Sequence, residues 1–305
     1  MKIALSITNH NQNSQVKDTL RRISRMSRKP DRIFVCSDGE PFVSTYSGVT
    51  PINNTDMKGR CRNRNSVIPE FIKSGCDALV FIDGDSCPRD EDFFEKYEEL
   101  FNTYDLVFGT REHGPVNGLV TPPSDLLTVN MDNLWAGRPL DSTDLRVAAG
   151  AVTAWQKSRD FYERLDLMST GMIGWSCNFG FTKASLGRFL EFMDTTYGRA
   201  EIFDSGAFNG KWGYEDVAMG IDALYAGLKI WISDEIVICH RAHERSDGLF
   251  DHVVGRHAVM ERIRGLEKQK KIRNLAYTAM GLLFGTYILG VITGMFTMFL
   301  SLWQP

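Results

Sequence analysis

Short apolar runs alternate with amphipathic stretches through the first third of the chain. The runs at residues 3–8, 32–39 and 79–82 have the length and the β-branched content of buried strands. Apolar positions at helical spacing predict helices from about residue 13 to 28 and from 60 to 73. Strands that alternate with helices imply parallel strands and crossover connections, so we predict an α/β fold with a doubly wound, mostly parallel sheet.

The rest of the chain continues this alternation, with one interruption. The further predicted elements are helices over residues 90–104, 183–192 and 217–226 and strands over residues 105–109, 229–232 and 235–239. Between residues 111 and 149 no period holds, and prolines and glycines separate isolated apolar residues. Because loops of that length are usually functional, we expect this segment to shape one wall of a binding cleft.

The C-terminal pattern is that of a membrane-spanning helix. No charged residue occurs from Leu275 to Trp303, which is longer than the roughly 20 apolar residues that a spanning helix needs. The basic cluster at residues 267–273 would lie in the cytoplasm by the positive-inside rule. We therefore predict a folded domain over residues 1–250, a basic helical linker over 251–274 and a transmembrane helix over 275–303.

Two other interpretations of the C-terminal segment stay open, a buried helix of a soluble domain and an oligomerisation helix. Gly281 and Gly285 form one Gly-x-x-x-Gly motif, and Gly290 and Gly294 form another. Small residues at this spacing allow two helices to approach closely, which would suit a homodimer through this helix.

Composition limits the partners and the compartment. A net charge of −3 argues against a general polyanion-binding surface, so a nucleic-acid partner is disfavoured. The 6 cysteines include no Cys-x-x-Cys pair, and we interpret them as reduced core residues of a cytosolic domain. The apolar stretch after Lys2 is too short for a signal peptide, so we expect the folded domain to stay on the cytoplasmic side.

Two aspartates separated by one glycine follow a predicted buried strand. Asp83 and Asp85 come at its C-terminal end, where open α/β sheets bind their ligands. Such a pair can present oxygens to one hard divalent cation, although Asp-Gly is also a common turn dipeptide. His240 and His243, just beyond the last predicted strand, are candidates for a third metal ligand, and surface positions are the alternative.

Arg60 and Arg64 lie four residues apart on a predicted helix and share a face. A guanidinium pair can hold a diphosphate through forked hydrogen bonds. Positive charge near a helix N-terminus opposes the helix dipole, so local stability does not explain the placement. The alternative is a solvated surface helix.

Two later stretches offer candidates for chemistry and for binding. Glu215 and Asp216 precede a predicted apolar helix, where acids are favoured by the helix dipole. A carboxylate that points into a cleft from that position is also what a general base needs. Trp175, close to Asn178, offers an indole face for a sugar ring or an acyl chain, or else for packing.

Together, these motifs resemble GT-A glycosyltransferases in residue type and in order. The likeness covers about residues 1–243 and is strongest to the large family of synthases that use nucleotide-diphosphate sugars. A secondary likeness, to polypeptide N-acetylgalactosaminyltransferases, covers residues 212–243. The matching positions are Thr8-Asn9-His10-Asn11, Asp38-Gly39, Arg64-Asn65, Asp83-Gly84-Asp85, the segment from Gly174 to Asn178, Glu215-Asp216 and His240.

This resemblance implies a GT-A fold, which is Rossmann-like, and a role for each matching position. Asp216 would be the catalytic base, and Glu215 would contact acceptor or donor hydroxyls. The resemblance also implies donor binding for Asn9, His10, Asp38, Asp83 and Asp85, and binding of Mn²⁺ or Mg²⁺ for Asp83 and Asp85. The residue patterns add further candidates, which are Thr8, Arg60 and Arg64 for the donor, Trp175, Asn178 and Trp212 for the acceptor, and His240 and His243 for the metal.

The implied activity is metal-dependent transfer of a sugar from a nucleotide-diphosphate sugar, with a UDP-sugar and an inverting mechanism favoured. The expected acceptor is a hydroxyl of a lipid-linked or membrane-held glycan. Three alternatives are a transferase acting on modified nucleic-acid bases, a nucleotidyltransferase and a non-catalytic nucleotide-sugar-binding membrane protein. The net acidity disfavours the first, the lack of a glycine-rich basic loop after the first strand disfavours the second, and the paired acids disfavour the third.

Overall fold

The computed structural model describes residues 1–54, 59–114, 177–208, 215–241, 258–259, 261–272 and 274–275. Internal contacts divide the chain into two units, Met1–Val259 and Met260–Pro305.

The first unit alternates strands and helices as predicted. Its described elements are β1 (Ile3–Asn9), α1 (Asn13–Ile23), β2 (Arg32–Ser37), β3 (Val49–Asn53), α2 (Arg60–Asn65), α3 (Val67–Ser74), β4 (Ala78–Asp83), β5 (Ser86–Pro88), α4 (Phe93–Phe101), β6 (Leu106–Gly114), β7 (Asn178–Thr182), α5 (Lys183–Tyr197), α6 (Ser205–Phe208), α7 (Glu215–Tyr225) and β8 (Ile230–Arg241).

The described strands form one sheet of 8 in the order β3-β2-β1-β4-β7-β6-β8-β5. Strands β3, β2, β1 and β4 are mutually parallel, and β6 and β8 are parallel to each other. Strand β7 is antiparallel to β4 and to β6, and the short edge strand β5 is antiparallel to β8. The α/β prediction is confirmed, but the sheet is more mixed than the strand–helix alternation suggested.

Both faces of the central strands are covered. All residues of β4 before Asp83 are buried, which explains why its sequence is continuously apolar rather than alternating. On one face, Ala78, Val80 and Ile82 pack in one cluster with apolar residues of α1 and α4. On the other face, Phe81 is fully buried and stacks on Phe179 of the neighbouring strand β7, with ring centroids 4.5 Å apart, and Phe179 in turn packs edge-on against Phe203. This double cover makes β4 a rigid support for whatever follows its end.

The predicted helix over residues 60–73 is two helices. α2 ends at Asn65 and α3 begins at Val67. The reason is Pro69, which has no N–H to donate to the carbonyl of Asn65 but is tolerated in the first turn of α3. Gly75 ends α3 with φ 72°, as its position after the apolar pattern predicts.

Three other boundaries differ from prediction. α1 ends at Ile23 rather than near residue 28. The two predicted strands over 229–232 and 235–239 are one strand, because β8 stays paired with β6 across a register shift between Phe108 and Thr110. β6 itself runs on to Gly114, so the start of the expected loop over 111–149 is strand.

None of the six cysteines forms a disulfide. Cys36, Cys61, Cys76 and Cys177 are buried. Burial raises the pKa of the Cys36 thiol to about 11, so it stays protonated at neutral pH. These four thiols agree with the predicted core positions, whereas Cys87 and Cys239 are only partly buried.

In the second unit, residues 261–272 and 274–275 are helical. No helix within the described residues has the length and apolar character that crossing a membrane requires. The predicted transmembrane helix over 275–303 lies outside the described residues except for Leu275. It therefore stays a prediction.

A buried amide joins three elements at the start of β7. Asn178 is fully buried and accepts a hydrogen bond from the Tyr97 hydroxyl of α4 at 2.9 Å. Its Nδ2 donates to the carbonyl oxygen of Ile236 in β8 at 3.0 Å. Gly109 of β6 leaves the space for this amide, because a Cβ there would lie 2.2 Å from Asn178 Nδ2 and 2.4 Å from the Ile236 oxygen.

We predict that Gly109→Ala lowers the free energy of unfolding by about 1–3 kcal/mol, since neither neighbour can move without losing the amide bond. Gly187 in the middle of α5 is the matched control, because a Cβ there would meet nothing within 4 Å. Gly187→Ala should raise stability by about 0.5–1 kcal/mol. Urea unfolding measures both variants, and shifts in the same direction would contradict this account.

Candidate functional site

The candidate site lies where the chain changes direction along the sheet. From β1 the chain first adds β2 and β3 on one side and then returns to add β4 on the other. Open α/β sheets bind ligands beyond the carboxyl ends of the strands at such a switch point. The register pairs Thr8 of β1 with Asp83 of β4 and Asn9 of β1 with Ser37 of β2, so the three strand ends are level.

His10 and Asp38, both predicted to bind a donor, contact each other beyond the ends of β1 and β2. His10 Nδ1 lies 2.8 Å from Asp38 Oδ1, and the backbone N–H of Gly59 donates to Asp38 Oδ2 at 3.0 Å. The Asp38 side chain is only 6% exposed, whereas that of His10 is 68% exposed. The carboxylate therefore holds an imidazole whose ring stays accessible.

The polar groups of Asn9 and Thr8 are buried inside the fold, which a role in donor binding does not predict. The Asn9 side chain donates to Asn13 Oδ1 at 2.7 Å and to Ser37 Oγ at 2.8 Å, and it accepts from the Gln12 N–H at 2.9 Å. Because Asn9 is fully buried, its amide fastens the strand ends rather than facing a ligand. The Thr8 hydroxyl is also buried and has no hydrogen-bond partner among the described residues.

Asn63 is a site residue that sequence reasoning missed. Its Nδ2 donates to the carbonyl oxygens of Asn9 at 3.2 Å and Cys36 at 2.9 Å, and its Oδ1 accepts from Asn54 Nδ2 at 2.9 Å. These bonds hold α2 against the ends of β1 and β2. No local pattern marks Asn63, because two of its partners are carbonyls of strands that are distant in sequence.

Arg64 is buried between two carboxylates. It donates to Asp83 Oδ1 at 2.9 Å and to Glu215 Oε1 at 3.1 Å, and its guanidinium carbon lies 5.3 Å from the Phe203 ring centroid. Its side chain is 3% exposed. Arg60, which is 34% exposed, donates to the same Glu215 oxygen at 3.1 Å.

This geometry gives the two arginines carboxylate partners that the sequence did not predict, and their role in donor binding stays a prediction. In this structure Arg60 and Arg64 bind carboxylates instead of presenting a forked pair to a diphosphate. Arg64 thereby joins Asp83, at the end of β4, to Glu215, in the first turn of α7. The metal-binding motif and the general-base motif of the prediction are linked through one guanidinium.

Glu215 is a buried anion. Burial alone would raise its pKa, but Arg60 and Arg64 outweigh this effect and hold the pKa below its ordinary value. Burial likewise would lower the pKa of Arg64, and Asp83 with Glu215 reverses that effect. Glu215 Oε2 is buried and has no hydrogen-bond partner among the described residues. The predicted contact of Glu215 with sugar hydroxyls is not what this arrangement shows, since its side chain is 2% exposed.

Asp216 follows Glu215 in the first turn of α7 and is half-buried. Its negative charge is among the causes that raise the pKa of Arg64. Anchoring of Glu215 therefore also places Asp216, the candidate base, near the ends of the strands.

Asp85 is buried in the turn between β4 and β5. Gln12 Nε2, at the start of α1, donates to Asp85 Oδ2 at 3.1 Å, and Ser86 Oγ donates to Asp85 Oδ1 at 3.4 Å. Gln12 is a second site residue that the sequence did not reveal. The next residue, Ser86, is the register partner of His240 in the antiparallel pair of β5 and β8.

Asp85 and His240 have donor atoms of the type that a divalent cation such as Mn²⁺ binds. Carboxylates such as that of Asp85 supply the oxygen ligands that Mn²⁺ or Mg²⁺ takes, and the backbone places His240 beside the strand that follows Asp85. Within the ranges that the structure describes, no group of three His, Cys, Asp or Glu side chains lies close enough to hold a metal. The predicted ligand His243 and the side chain of His240 lie outside the described residues, and both stay predictions.

The predicted acceptor residues fall into two groups. Trp175 and Trp212 lie outside the described residues, as does the segment over residues 115–149. Asn178 is described, and its prediction is wrong in this structure. Its amide is used inside the core by Tyr97 and Ile236, where an acceptor does not reach it.

Comparison with known proteins finds similarity among solved structures. No family model matches the chain, and no curated protein matches it. Mannosyltransferase PcManGT from Pyrobaculum calidifontis, in complex with GDP-Man and Mn²⁺, aligns with a TM-score of 0.44 and 11% identity over 80% of this chain and 58% of that chain. S. aureus TarS 1-349 in complex with UDP-GlcNAc aligns with a TM-score of 0.44 and 13% identity over 81% of this chain and 60% of that chain. The chain spans less than two thirds of the length of either structure.

We predict that Arg64→Met lowers the free energy of unfolding by about 3–5 kcal/mol, because it leaves buried carboxylate charge without its partner. Arg60→Met is the matched control, since it removes a half-exposed arginine from the same Glu215 oxygen and should cost about 1 kcal/mol or less. Urea unfolding of both variants at neutral pH measures the difference. Equal losses would contradict the central position of Arg64.

Proposed function

We propose that this protein is a metal-dependent glycosyltransferase that uses a nucleotide-diphosphate sugar, with a UDP-sugar as the first candidate. One observation carries the proposal. The acids and the histidine at the ends of β1, β2 and β4 lie at the switch point of the sheet, and Arg64 connects one of them, Asp83, to Glu215 in the first turn of α7. The order of the sequence motifs gives independent support.

Donor binding is assigned to the ends of β1 and β2. Asp38 fixes the His10 ring through Nδ1, and the exposed imidazole offers a flat face to a nucleotide base. The hydrogen bond from the Gly59 N–H holds Asp38 from the other side. Asn9 and Asn63 act beneath this surface by keeping both strand ends and α2 in place.

Binding of the cation is assigned to Asp85, with His240 or His243 as the proposed additional ligand. Asp83 is less suited to direct ligation, because Arg64 already offsets its charge at 2.9 Å. When bound, a divalent cation would stabilise negative charge on the diphosphate of the leaving nucleotide.

Asp216 is the proposed general base. It would take the proton from the acceptor hydroxyl while that oxygen attacks the anomeric carbon, and the bond from the anomeric carbon to the nucleotide diphosphate breaks. A single displacement of this kind inverts the configuration at the anomeric carbon. Glu215 acts through Arg64 to keep the first turn of α7 against the end of β4.

The proposed acceptor is a hydroxyl of a lipid-linked or membrane-held glycan. The support is the uncharged stretch from residue 275 to 303 and the basic cluster before it. An anchor would hold enzyme and acceptor at one surface and raise their effective concentration. In this proposal the domain over residues 1–250 faces the cytoplasm.

The test of this function compares Asp216→Asn with the wild type. Release of nucleotide diphosphate from UDP-GlcNAc, other UDP-sugars and GDP-mannose is measured with Mn²⁺ and a mixture of membrane lipid acceptors. Loss of the base should lower turnover by about 100-fold or more while nucleotide affinity stays unchanged.

The matched control is Asp194→Asn on the exposed side of α5, which should turn over the donor like the wild type. Undiminished turnover in Asp216→Asn would remove Asp216 from the mechanism. Nucleotide binding without turnover in the wild type for every donor tested would favour the non-catalytic alternative.

A further inference from the structure

We infer that Gln12 is a positioning residue that orients the Asp85 carboxylate and thereby sets the affinity of this site for a divalent cation. The inference rests on the proposed function, because it requires Asp85 to be a cation ligand. Nothing in the motif pattern points to Gln12. Its assignment comes from the contact between its side chain and Asp85.

The backbone of Gln12 is fixed at both of its polar groups. Its N–H donates to Asn9 Oδ1 at 2.9 Å, and its carbonyl oxygen accepts the first helical bond of α1 from the Val16 N–H at 3.0 Å. Asn9 is itself held by Asn13 and Ser37. The side chain of Gln12 therefore starts from a rigid position at the carboxyl end of β1.

The orientation of the Gln12 amide follows from the chemistry of its partner. An ionised carboxylate only accepts hydrogen bonds, so the amide must turn its NH₂ toward Asp85 Oδ2, 3.1 Å away. Its oxygen then lies over Gly84. A Cβ at Gly84 would be 2.9 Å from Gln12 Oε1 and 2.9 Å from the carbonyl oxygen of Thr8, so only glycine allows this close approach.

The neutral amide distinguishes Asp85 from Asp83. Arg64 brings a full positive charge to Asp83, and that charge opposes a second cation at the same carboxylate. Gln12 orients Asp85 without offsetting its negative charge. The bond from Gln12 to Oδ2, together with the bond from Ser86 to Oδ1, restricts the rotation of the carboxylate.

Residues that orient metal ligands typically change metal affinity by about 10–100-fold when they are removed. The experiment measures Mn²⁺ binding to the full chain by electron paramagnetic resonance, in the presence of UDP. Gln12→Met keeps the length of the side chain and removes the amide, and it should raise the Kd for Mn²⁺ by about 10–100-fold.

Gln15→Met is the matched control, with the same substitution one turn along α1, where the side chain accepts from Ser14. It should bind Mn²⁺ within about twofold of the wild type. Gln12→Ala, which cannot crowd the start of α1, should show the same loss as Gln12→Met. In an Asp85→Asn background, Gln12→Met should cause no further change.

Each result decides the inference. Wild-type affinity in a folded Gln12→Met protein, or equal losses in the Gln12 and Gln15 variants, would overturn the role of Gln12 and leave the proposed function standing. Absence of Mn²⁺ binding in the wild type would overturn both. A loss confined to the Gln12 variants and dependent on Asp85 would support the inference.

Discussion

A guanidinium buried between two carboxylates joins the two parts of the candidate site. Arg64 reaches Asp83 on one side and Glu215 on the other, at 2.9 Å and 3.1 Å. Burial of an ion pair is itself costly, and well-packed apolar residues would often be as stable. Once the charges are buried, however, separating them is costly, because removal of one leaves another buried and uncompensated. The network therefore fixes the first turn of α7 relative to the end of β4.

The sheet supplies the rest of the positioning. Strands β1 and β4 are covered on both faces, so their carboxyl ends have little freedom to move. The loops after these strands carry the exposed His10 and the buried Asp85. Hydrogen bonds from side-chain amides hold these loops in place. Asn9, Asn63 and Gln12 each bridge two elements in this way. Rigid strands and buried amides together hold the polar groups that the proposed chemistry needs.

Much of the fold was predictable because its signals are local. The apolar runs of β1, β2 and β4 and the acids at Asp38, Asp83 and Asp85 follow from residue type and order along the chain. The antiparallel insertion of β7 was not predictable, because strand direction in the second half depends on residues far apart in sequence. The fusion of two predicted strands into β8 has the same cause, since pairing with β6 overrides the polar residues between them.

The differences between the predicted site and the observed contacts share one physical origin. The sequence presents Arg60 and Arg64 as exposed charges, and only the tertiary fold brings Glu215 to them. Asn178 belongs to a segment whose residue types suggest binding, yet its amide forms hydrogen bonds with Tyr97 and Ile236 inside the core. No sequence pattern marks Gln12, because its proposed role depends on one hydrogen bond to Asp85, which is distant in sequence.

In the proposed mechanism, Asp85 makes nucleotide binding depend on a divalent cation. Isothermal titration calorimetry tests this dependence. UDP, and in a separate titration GDP, is titrated into the wild type first with Mn²⁺ present and then with a chelator present. The Asp85→Asn variant, which has nearly the same shape without the charge, is titrated in the same way. The account predicts binding in Mn²⁺ that is lost in chelator and in the variant. Binding that is equal under all these conditions, or no nucleotide binding at all, would contradict it.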